Sequence, residues 1–377
     1  MATMKKNLIY ATTLSLLSII MLSSCNNSSS GDKSTKVNIG VVLPLTGELA
    51  SYSEPMKQGM ELAVEEINKA DSAKAELKFI DTKAEAKTAV NAIMQMINVD
   101  KISYFIGDIS STTTLAMIPV IESNKAFILS PGASSPKLSG ISTSFARNYP
   151  SSLDESLKSA EYAYNNLKAS KATIVYVNNE YGIGLKDAFE MRYKQLGGNL
   201  LASEIYNFGD VDFKTIILKI KAHNPDMIYL AGNQKEMGNF MKQLRDSKFS
   251  CKVISNISFL EPDCINIAKE AAEGVMVPVA YYNPNDSTSS TAMNFGKLYK
   301  QKFNADASVA VAVGYDAVML IYNSIKKEGN DPQKVADYIR NLKNYNGALG
   351  NFSFENGDIN MKTVFKIVQN GKAVDIK

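Results

Sequence analysis

Histidine and cysteine, on which many hydrolase active sites and zinc sites depend, are scarce in this sequence of 377 residues. It contains one histidine and three cysteines. A serine–histidine triad would have to use His223, which lies in a polar segment before Pro225, and there is no GxSxG motif. Cys251 and Cys264 have no CxxC or HxxxH partner at zinc-site spacing. The sequence therefore predicts that the protein is not an enzyme and holds no metal.

An excess of charge of one sign is also missing. Lys and Arg total 41 against 38 Asp and Glu, which gives a net charge of +3. The sequence has no local run of basic residues that could neutralise a phosphate backbone, so we expect no nucleic-acid partner. There is no GxxxxGK[ST] motif, and Asp187 occupies the third glycine position of a dinucleotide fingerprint that begins at Gly182. We therefore expect no cofactor.

The first 35 residues have the composition of an export signal followed by a tether. Two lysines precede a short apolar stretch over residues 8–22, and Leu22-Ser23-Ser24-Cys25 resembles the bacterial lipobox, in which the chain is cleaved just before the cysteine and the cysteine thiol is diacylated. We predict a signal peptide over residues 1–24, lipidation of Cys25 and a flexible tether over residues 25–35. A plain signal peptide or an uncleaved anchor is the alternative. Export would place Cys251 and Cys264 in an oxidising compartment, where a disulfide between them is possible.

From residue 36 onward, predicted strands alternate with predicted helices. The first cycle comprises 36–43, 54–68, 76–81, 83–98, 102–106, 111–123 and 126–129. The second comprises 153–167, 173–178, 183–196, 200–206, 214–222, 227–230, 235–246 and 252–255, and the chain ends with a strand at 275–279, helices at 293–303, 310–327 and 332–343, and a hairpin over 352–368. Repeated βα winding predicts parallel sheets with helices on both faces, and its recurrence predicts two lobes of one α/β architecture.

Polar loops follow several strand ends, at the edge where open α/β sheets bind ligands. They are residues 44–47, 107–114 and 130–135. A predicted helix begins within five consecutive hydroxyl residues, 110–114, although a single hydroxyl would be enough to cap it. Helix starts also offer unpaired N–H groups, so this segment predicts a carboxylate or anion site. We interpret the neighbouring Asp108 as a solvated loop acid or a hinge-side partner.

Four segments resemble the type I periplasmic binding proteins, closest to the branch of ABC importers for branched-chain amino acids and amides. They are VNIGVVLPLTGELASYSEPMKQGMELAVEEIN, YFIGDISSTTT, FILSPGASSPKL and VYVNNEYGIG. The resemblance implies two Rossmann-like lobes joined by a hinge of three crossovers, which enclose a ligand when they close. We expect lobe 1 to comprise residues 36–149 and 282–360, and lobe 2 residues 150–281 and 361–377.

The resemblance also implies ligand contacts. Ser111 matches the serine that holds the ligand carboxylate, Ala133 a backbone contact and Ser134 a hydroxyl contact. Tyr52 and Tyr181 match aromatic wall positions, although either could be an ordinary packing tyrosine.

Two positions depart from the amino-acid-binding pattern. Asn233 falls where the family has an aromatic residue, and Ile257 falls where it has the acid that holds the ligand ammonium. An apolar side chain cannot neutralise an ammonium. Either Glu261, or Asn256 with Glu236, takes over that role, or the ligand is not an α-amino acid.

The expected function is that of an exported, membrane-anchored lipoprotein that binds a small polar solute. The solute would be an amino acid, an amide or a small carboxylate, captured by lobe closure and delivered to the permease of an ABC importer. The alternative is a ligand-sensing protein that reports to a membrane receptor, since both would use an exposed lobe face.

Overall fold

The computed structural model of the protein describes residues 36–70, 74–284 and 288–376. The predicted signal peptide, Cys25 and the tether lie outside the described residues. Strands β1–β15 are Val37–Leu43, Ala75–Asp81, Tyr104–Gly107, Phe127–Ser130, Phe145–Arg147, Lys171–Val177, Asn199–Tyr206, Met227–Ala231, Lys252–Ser255, Met276–Ala280, Tyr345–Gly347, Gly350–Glu355, Asp358–Asn360, Thr363–Gln369 and Lys372–Asp375. Helices α1–α11 are Ala50–Ala70, Ala86–Asn98, Ser111–Ser123, Ser152–Glu161, Glu180–Gln195, Lys214–His223, Gln234–Asp246, Pro262–Ala268, Ser290–Phe303, Val309–Glu328 and Pro332–Arg340.

The strands form two sheets, each flanked by helices, as the βα alternation predicts. The first sheet has the order β11-β12-β13-β5-β4-β3-β1-β2 and the second β15-β14-β10-β9-β8-β6-β7. Pairing is parallel except at β11–β12 and β12–β13 in the first sheet and at β10–β14 and β14–β15 in the second. We call the residues packed around the first sheet lobe 1 and the residues packed around the second sheet lobe 2.

The chain passes between the sheets three times within the described residues. It leaves the first sheet after β5 to enter α4, returns after β10 to reach α9, and leaves again between β13 and β14. These three crossovers are the hinge that the resemblance implies.

The predicted hairpin over residues 352–368 is wrong in its second half. Strands β12 and β13 do form a hairpin, with Glu355 opposite Asp358 and positive φ angles of 52° at Asn356 and 91° at Gly357, as an Asn-Gly turn favours. The following strand β14 instead pairs antiparallel with β10 in the other sheet. The local alternation cannot reveal this because the partner strand is distant in sequence.

A close helix pair forms the core of lobe 1. A Cβ atom on Gly59 of α1 would lie 2.0 Å from the carbonyl oxygen of Val311, and one on Gly314 of α10 would lie 2.0 Å from that of Met56. Only glycine allows the two backbones to approach so closely. Helix α10 is long and apolar enough to cross a membrane, but 72% of its most apolar window is buried, so it serves as a core helix.

The two described cysteines are not paired. Cys264 is buried on α8 and Cys251 is partly buried before β9, and both are free thiols. The disulfide that the sequence left open is not formed in this structure.

Candidate ligand-binding cleft

A cleft lies between the two lobes, at the carboxyl ends of their parallel strands. It encloses a cavity of about 180 Å³. Lobe 1 lines the cavity with the starts of α1, α3 and α10 and with the loop after β4, and lobe 2 with the starts of α5 and α7 and the segment after β9. Five of the six sequence-predicted ligand contacts line this cavity: Tyr52, Ser111, Ser134, Tyr181 and Asn233.

The start of α3 supplies the polar side of the cavity in lobe 1. Ser110 caps the helix by accepting a bond from the N–H of Thr113 at 3.3 Å, and the hydroxyls of Thr113 and Thr114 each donate to a backbone carbonyl at 3.1 Å. Ser110, Ser111 and Thr112 line the cavity, beside first-turn N–H groups that have no intrahelical acceptor. Thr113 and Thr114 are therefore structural, and the other three hydroxyls, each of which accepts one backbone N–H bond, keep a proton to donate to a ligand.

The loop after β4 lies beside this helix start. Gly132 and Ser134 both line the cavity. Ala133 is fully buried, and its N–H donates to Ser130 Oγ at 2.9 Å while its carbonyl accepts from Arg147 at 3.2 Å. The predicted backbone contact of Ala133 with a ligand stays a prediction. Sequence reasoning did not select Gly132, which has no side chain to mark it, yet its backbone lies on the cavity.

Tyrosine and amide side chains form much of the remaining wall. The Tyr181 hydroxyl accepts from Asn256 Nδ2 at 2.8 Å, and the Tyr52 hydroxyl accepts from the N–H of Gln234 at 3.3 Å. Burial raises the pKa of both tyrosines well above its ordinary value, so both are neutral hydroxyls. Asn233 Nδ2 is buried without a hydrogen-bond partner among the described residues. Because an unmade bond of this kind is costly, a ligand acceptor there would be stabilised.

An acidic side chain does face the cavity, four residues after the apolar Ile257. Glu261 lines the cavity, and burial, followed by repulsion from Asp263, raises the pKa of its carboxyl to about 7. No Lys, Arg or His among the described residues lines the cavity beside it.

The other proposed replacement for the missing acid is already engaged elsewhere. Asn256 accepts from the N–H of Gly232 at 2.9 Å and donates to the carbonyl of the same residue. Glu236 accepts from the N–H of Gly209 at 2.8 Å and does not line the cavity. Of the three side chains considered from the sequence, the structure brings only Glu261 to the cavity.

A second acid near the cavity was not foreseen. Glu155, in the first turn of α4, accepts a bond from the N–H of Ile257 at 2.7 Å, and burial raises the pKa of its carboxyl to about 8. It lines a small adjoining cavity of about 30 Å³ that shares Tyr149 and Ile257 with the main one. An acid in a first helical turn is an ordinary arrangement, so the sequence alone gives it no distinction.

Asp108 is not the solvated loop acid that the sequence suggested. It is fully buried, its carboxylate accepts from Thr82 Oγ1 at 2.5 Å and from the N–H of Ser110 at 2.9 Å, and burial raises its pKa to about 6. Asp108 therefore holds the start of α3 in place. It is buried because the segment after β2 covers it.

Two ion pairs join the lobes near the rim of the cleft. Lys235 Nζ of lobe 2 lies 2.7 Å from a carboxylate oxygen of Glu48 in lobe 1. Lys137 Nζ of lobe 1 lies 2.8 Å from a carboxylate oxygen of Glu180 in lobe 2. We call these two pairs the rim pairs. With them formed, the lobes are closed over the cavity.

Comparison with known proteins agrees with this architecture. A family model described as periplasmic binding protein matches residues 36–373. The chain belongs to the periplasmic binding protein family. Members of this family bind solutes outside the cytoplasm, so the protein is an exported solute-binding protein.

Curated relatives cover nearly the whole binding protein. The Leu/Ile/Val-binding protein homolog 3 of Brucella melitensis is 28% identical over 351 residues, which are 90% of this chain and 94% of the relative. The Leu/Ile/Val-binding protein BraC3 of Rhizobium johnstonii is 27% identical over 331 residues, 86% of this chain and 89% of the relative.

Solved structures share the fold. The leucine-binding protein LivK of Thermotoga maritima has a TM-score of 0.84 and 29% identity, over 90% of this chain and 98% of that one. A benzoate-bound solute-binding protein of R. palustris has a TM-score of 0.80 at 17% identity, over 90% and 95% of the two chains, and shows the fold alone.

Proposed function

We propose that this periplasmic binding protein serves an ABC importer and that its solute is an α-amino acid with an apolar side chain. One observation carries the proposal: the two lobes bring complementary groups to one cavity. Lobe 1 offers the hydroxyls and N–H groups of the α3 start, which suit a carboxylate. Lobe 2 offers the carboxylate of Glu261, which suits an ammonium. The Leu/Ile/Val-binding relatives and the leucine-binding LivK support this substrate class.

The apolar lining accounts for the side chain of the solute. Pro55, Met56, Ile109 and Val309 also line the cavity. Burying an aliphatic side chain there stabilises the complex by about 1.5–3 kcal/mol. A bare carboxylate such as benzoate would leave Glu261 without a cation.

Closure couples binding to delivery. We propose that lobe 1 comprises residues 36–149 and 282–360 and that lobe 2 comprises residues 150–281 and 361–377. The chain then passes from one lobe to the other at each of the three crossovers. Ser111 and Ser134 first hold the carboxylate on lobe 1, and lobe 2 then swings over the solute and excludes water. The solute favours closure only by its higher affinity for the closed state. The permease would recognise the closed form, and no chemical step takes place.

A thermal-shift panel tests the substrate class. Leucine, isoleucine and valine are compared with their amides, with 4-methylpentanoate and with benzoate, since a ligand of the folded state raises its melting temperature. We expect branched-chain amino acids to give the largest increase. Stabilisation by benzoate or 4-methylpentanoate, without stabilisation by any amino acid, would contradict the proposal.

The rim pairs yield a prediction about closure. Glu48→Lys places two cations at one rim position and should weaken solute binding about three- to fivefold by destabilising the closed state. Adding Lys235→Glu restores an ion pair and should restore affinity, as measured by calorimetry. The loss of affinity in Glu48→Lys should be smaller at 0.5 M salt, because salt screens the exposed charges at this rim position.

The control for the rim pairs is an exposed pair within lobe 1. Lys300 and Asp306 lie 2.9 Å apart and do not span the cleft. Asp306→Lys should leave affinity unchanged. An equal loss in both single variants would show that the rim pair has no special role in closure.

We also propose that Cys25 carries a lipid anchor that holds the protein at the membrane surface. The Leu22-Ser23-Ser24-Cys25 motif and the export of this family support the anchor. Cys25→Ala should abolish the incorporation of labelled fatty acid into the protein. Incorporation that persists in the variant would argue against lipidation of Cys25.

A further inference from the structure

Arg147, the last residue of β5, is fully buried despite its charge. Its guanidinium donates to both carboxylate oxygens of Asp358, at 2.7 and 3.0 Å, and to Ser139 Oγ at 2.7 Å. It also donates to the carbonyl oxygens of Ala133 and Ser135, at 3.2 and 2.9 Å. The guanidinium thus connects the cavity loop after β4 to β13.

The bonds to carbonyl groups determine which way the cavity loop faces. In a planar trans peptide the carbonyl and the following N–H point in opposite directions. Because Arg147 holds the carbonyl of Ala133 at the rear of the loop, the N–H of Ser134 points to the opposite side. Ser134 lines the cavity, and no acceptor for this N–H lies among the described residues.

The same loop also orients the helix start beside it. The N–H of Ser135 donates to Ser111 Oγ at 3.1 Å, so the hydroxyl proton of Ser111 remains available to a ligand. The guanidinium holds the carbonyls of the residues on either side of Ser134, so it restrains the segment that carries Ser134 and that bonds to Ser111. We infer that Arg147 is a positioning residue for the anionic end of the solute, which it does not itself contact.

The location of the pair in the chain adds a link to the hinge. Strand β5, which ends at Arg147, precedes the first crossover, and strand β13, which begins at Asp358, precedes the third. One bidentate ion pair with a buried guanidinium therefore fixes the cavity loop to two strands of lobe 1 that precede crossovers. Removing either partner of this pair would be costly, because the other charge would be left uncompensated.

This inference rests on the proposed binding of a carboxylate, and Arg147→Met tests it. We expect the variant to bind L-leucine at least about tenfold more weakly by calorimetry, because the carboxylate loses aligned donors. Arg147→Lys keeps the charge but not the forked geometry and should show an intermediate loss.

Arg340 provides the matched control. It donates to the carbonyls of Ser142 and Phe145 in the same lobe, at 2.6 and 2.7 Å, but has no bond to the cavity loop. Arg340→Met should lower the melting temperature of the ligand-free protein and leave leucine affinity within about threefold of wild type. Equal affinity losses in Arg147→Met and Arg340→Met would reduce Arg147 to a structural residue and overturn the inference.

Hydrogen exchange provides a readout that needs no ligand. In Arg147→Met the amide of Ser135 should exchange faster, and in Arg340→Met it should not, because Arg147 donates to carbonyls of this loop and Arg340 does not. If wild type binds no carboxylate of the panel, the proposed function fails and this measurement alone decides the positioning role. Unchanged exchange in Arg147→Met would refute it.

Discussion

Ser111→Asp should abolish binding of an amino acid while leaving the protein folded. The substituted carboxylate would occupy the position proposed for the solute carboxylate, and two like charges at contact cost several kcal/mol. We therefore expect affinity to fall by at least about 1,000-fold, at about 1.4 kcal/mol for each tenfold step. Calorimetry with leucine measures the loss.

Stability should respond differently from binding in this variant. Ser111 is the first residue of α3, where a negative side chain gains about 0.3–1 kcal/mol from the helix dipole. An aspartate there can also accept from the N–H of Ser135, as the serine does. We expect the free energy of unfolding of the ligand-free variant to remain within about 1 kcal/mol of wild type.

Two further variants locate the effect. Ser111→Ala removes a donor without adding charge and should cost about 10- to 100-fold in affinity. Ser290→Asp makes the same substitution at the first residue of α9, away from the cavity, and should leave binding unchanged. Tight leucine binding by Ser111→Asp would remove the α3 start from the site.

Glu261→Gln is the second variant with a large expected effect. If this carboxylate holds the solute ammonium, its neutral amide should bind leucine about 30- to 4,000-fold more weakly, because truncating one member of a buried charge pair costs about 2–5 kcal/mol. Affinity for 4-methylpentanoate, which has no amine, should not fall. Glu155→Gln is the control, because Glu155 bonds to Ile257 and lies on the adjoining cavity.

The pH dependence follows from the raised pKa of Glu261. With a pKa of about 7 in the ligand-free protein, the carboxyl is protonated below pH 7 and cannot pair with an ammonium. Leucine affinity should therefore rise about tenfold per pH unit up to pH 7 and then level off. Glu261→Gln should flatten this profile, and an unchanged profile in that variant would assign the titration to another group.

Stability without ligand should change in the opposite sense. A carboxyl whose pKa is raised by folding favours the folded state when protonated, so its contribution is lost as the pH rises through about 7. Glu261→Gln carries no charge to bury and should therefore be more stable than wild type at pH 8, by about 1–3 kcal/mol. Chemical denaturation at pH 4 and pH 8 checks the sign, since the difference should nearly disappear at pH 4, below the ordinary pKa of 4.5 that the carboxyl has in the unfolded chain.

Several features of the fold and the site could be read from local sequence. β-Branched runs and helical spacing act over a few residues, so the order of strands and helices follows from them, except for elements as short as β5 with its three residues. The hydroxyl run over 110–114 identified the α3 start for the same reason. How these hydroxyls divide between capping and the cavity depended on the neighbouring segments.

The sequence by itself determined the α/β architecture, the two lobes and the helix start suited to a carboxylate, because all of these arise from local patterns and from a recognisable family resemblance. Only the tertiary structure decided which acid reaches the cavity, where β14 pairs and what holds the cavity loop. These depend on contacts such as Glu155 with Ile257, 102 residues apart, and Arg147 with Asp358, 211 residues apart. No local periodicity encodes such pairs, since they form only when the crossovers bring distant segments together.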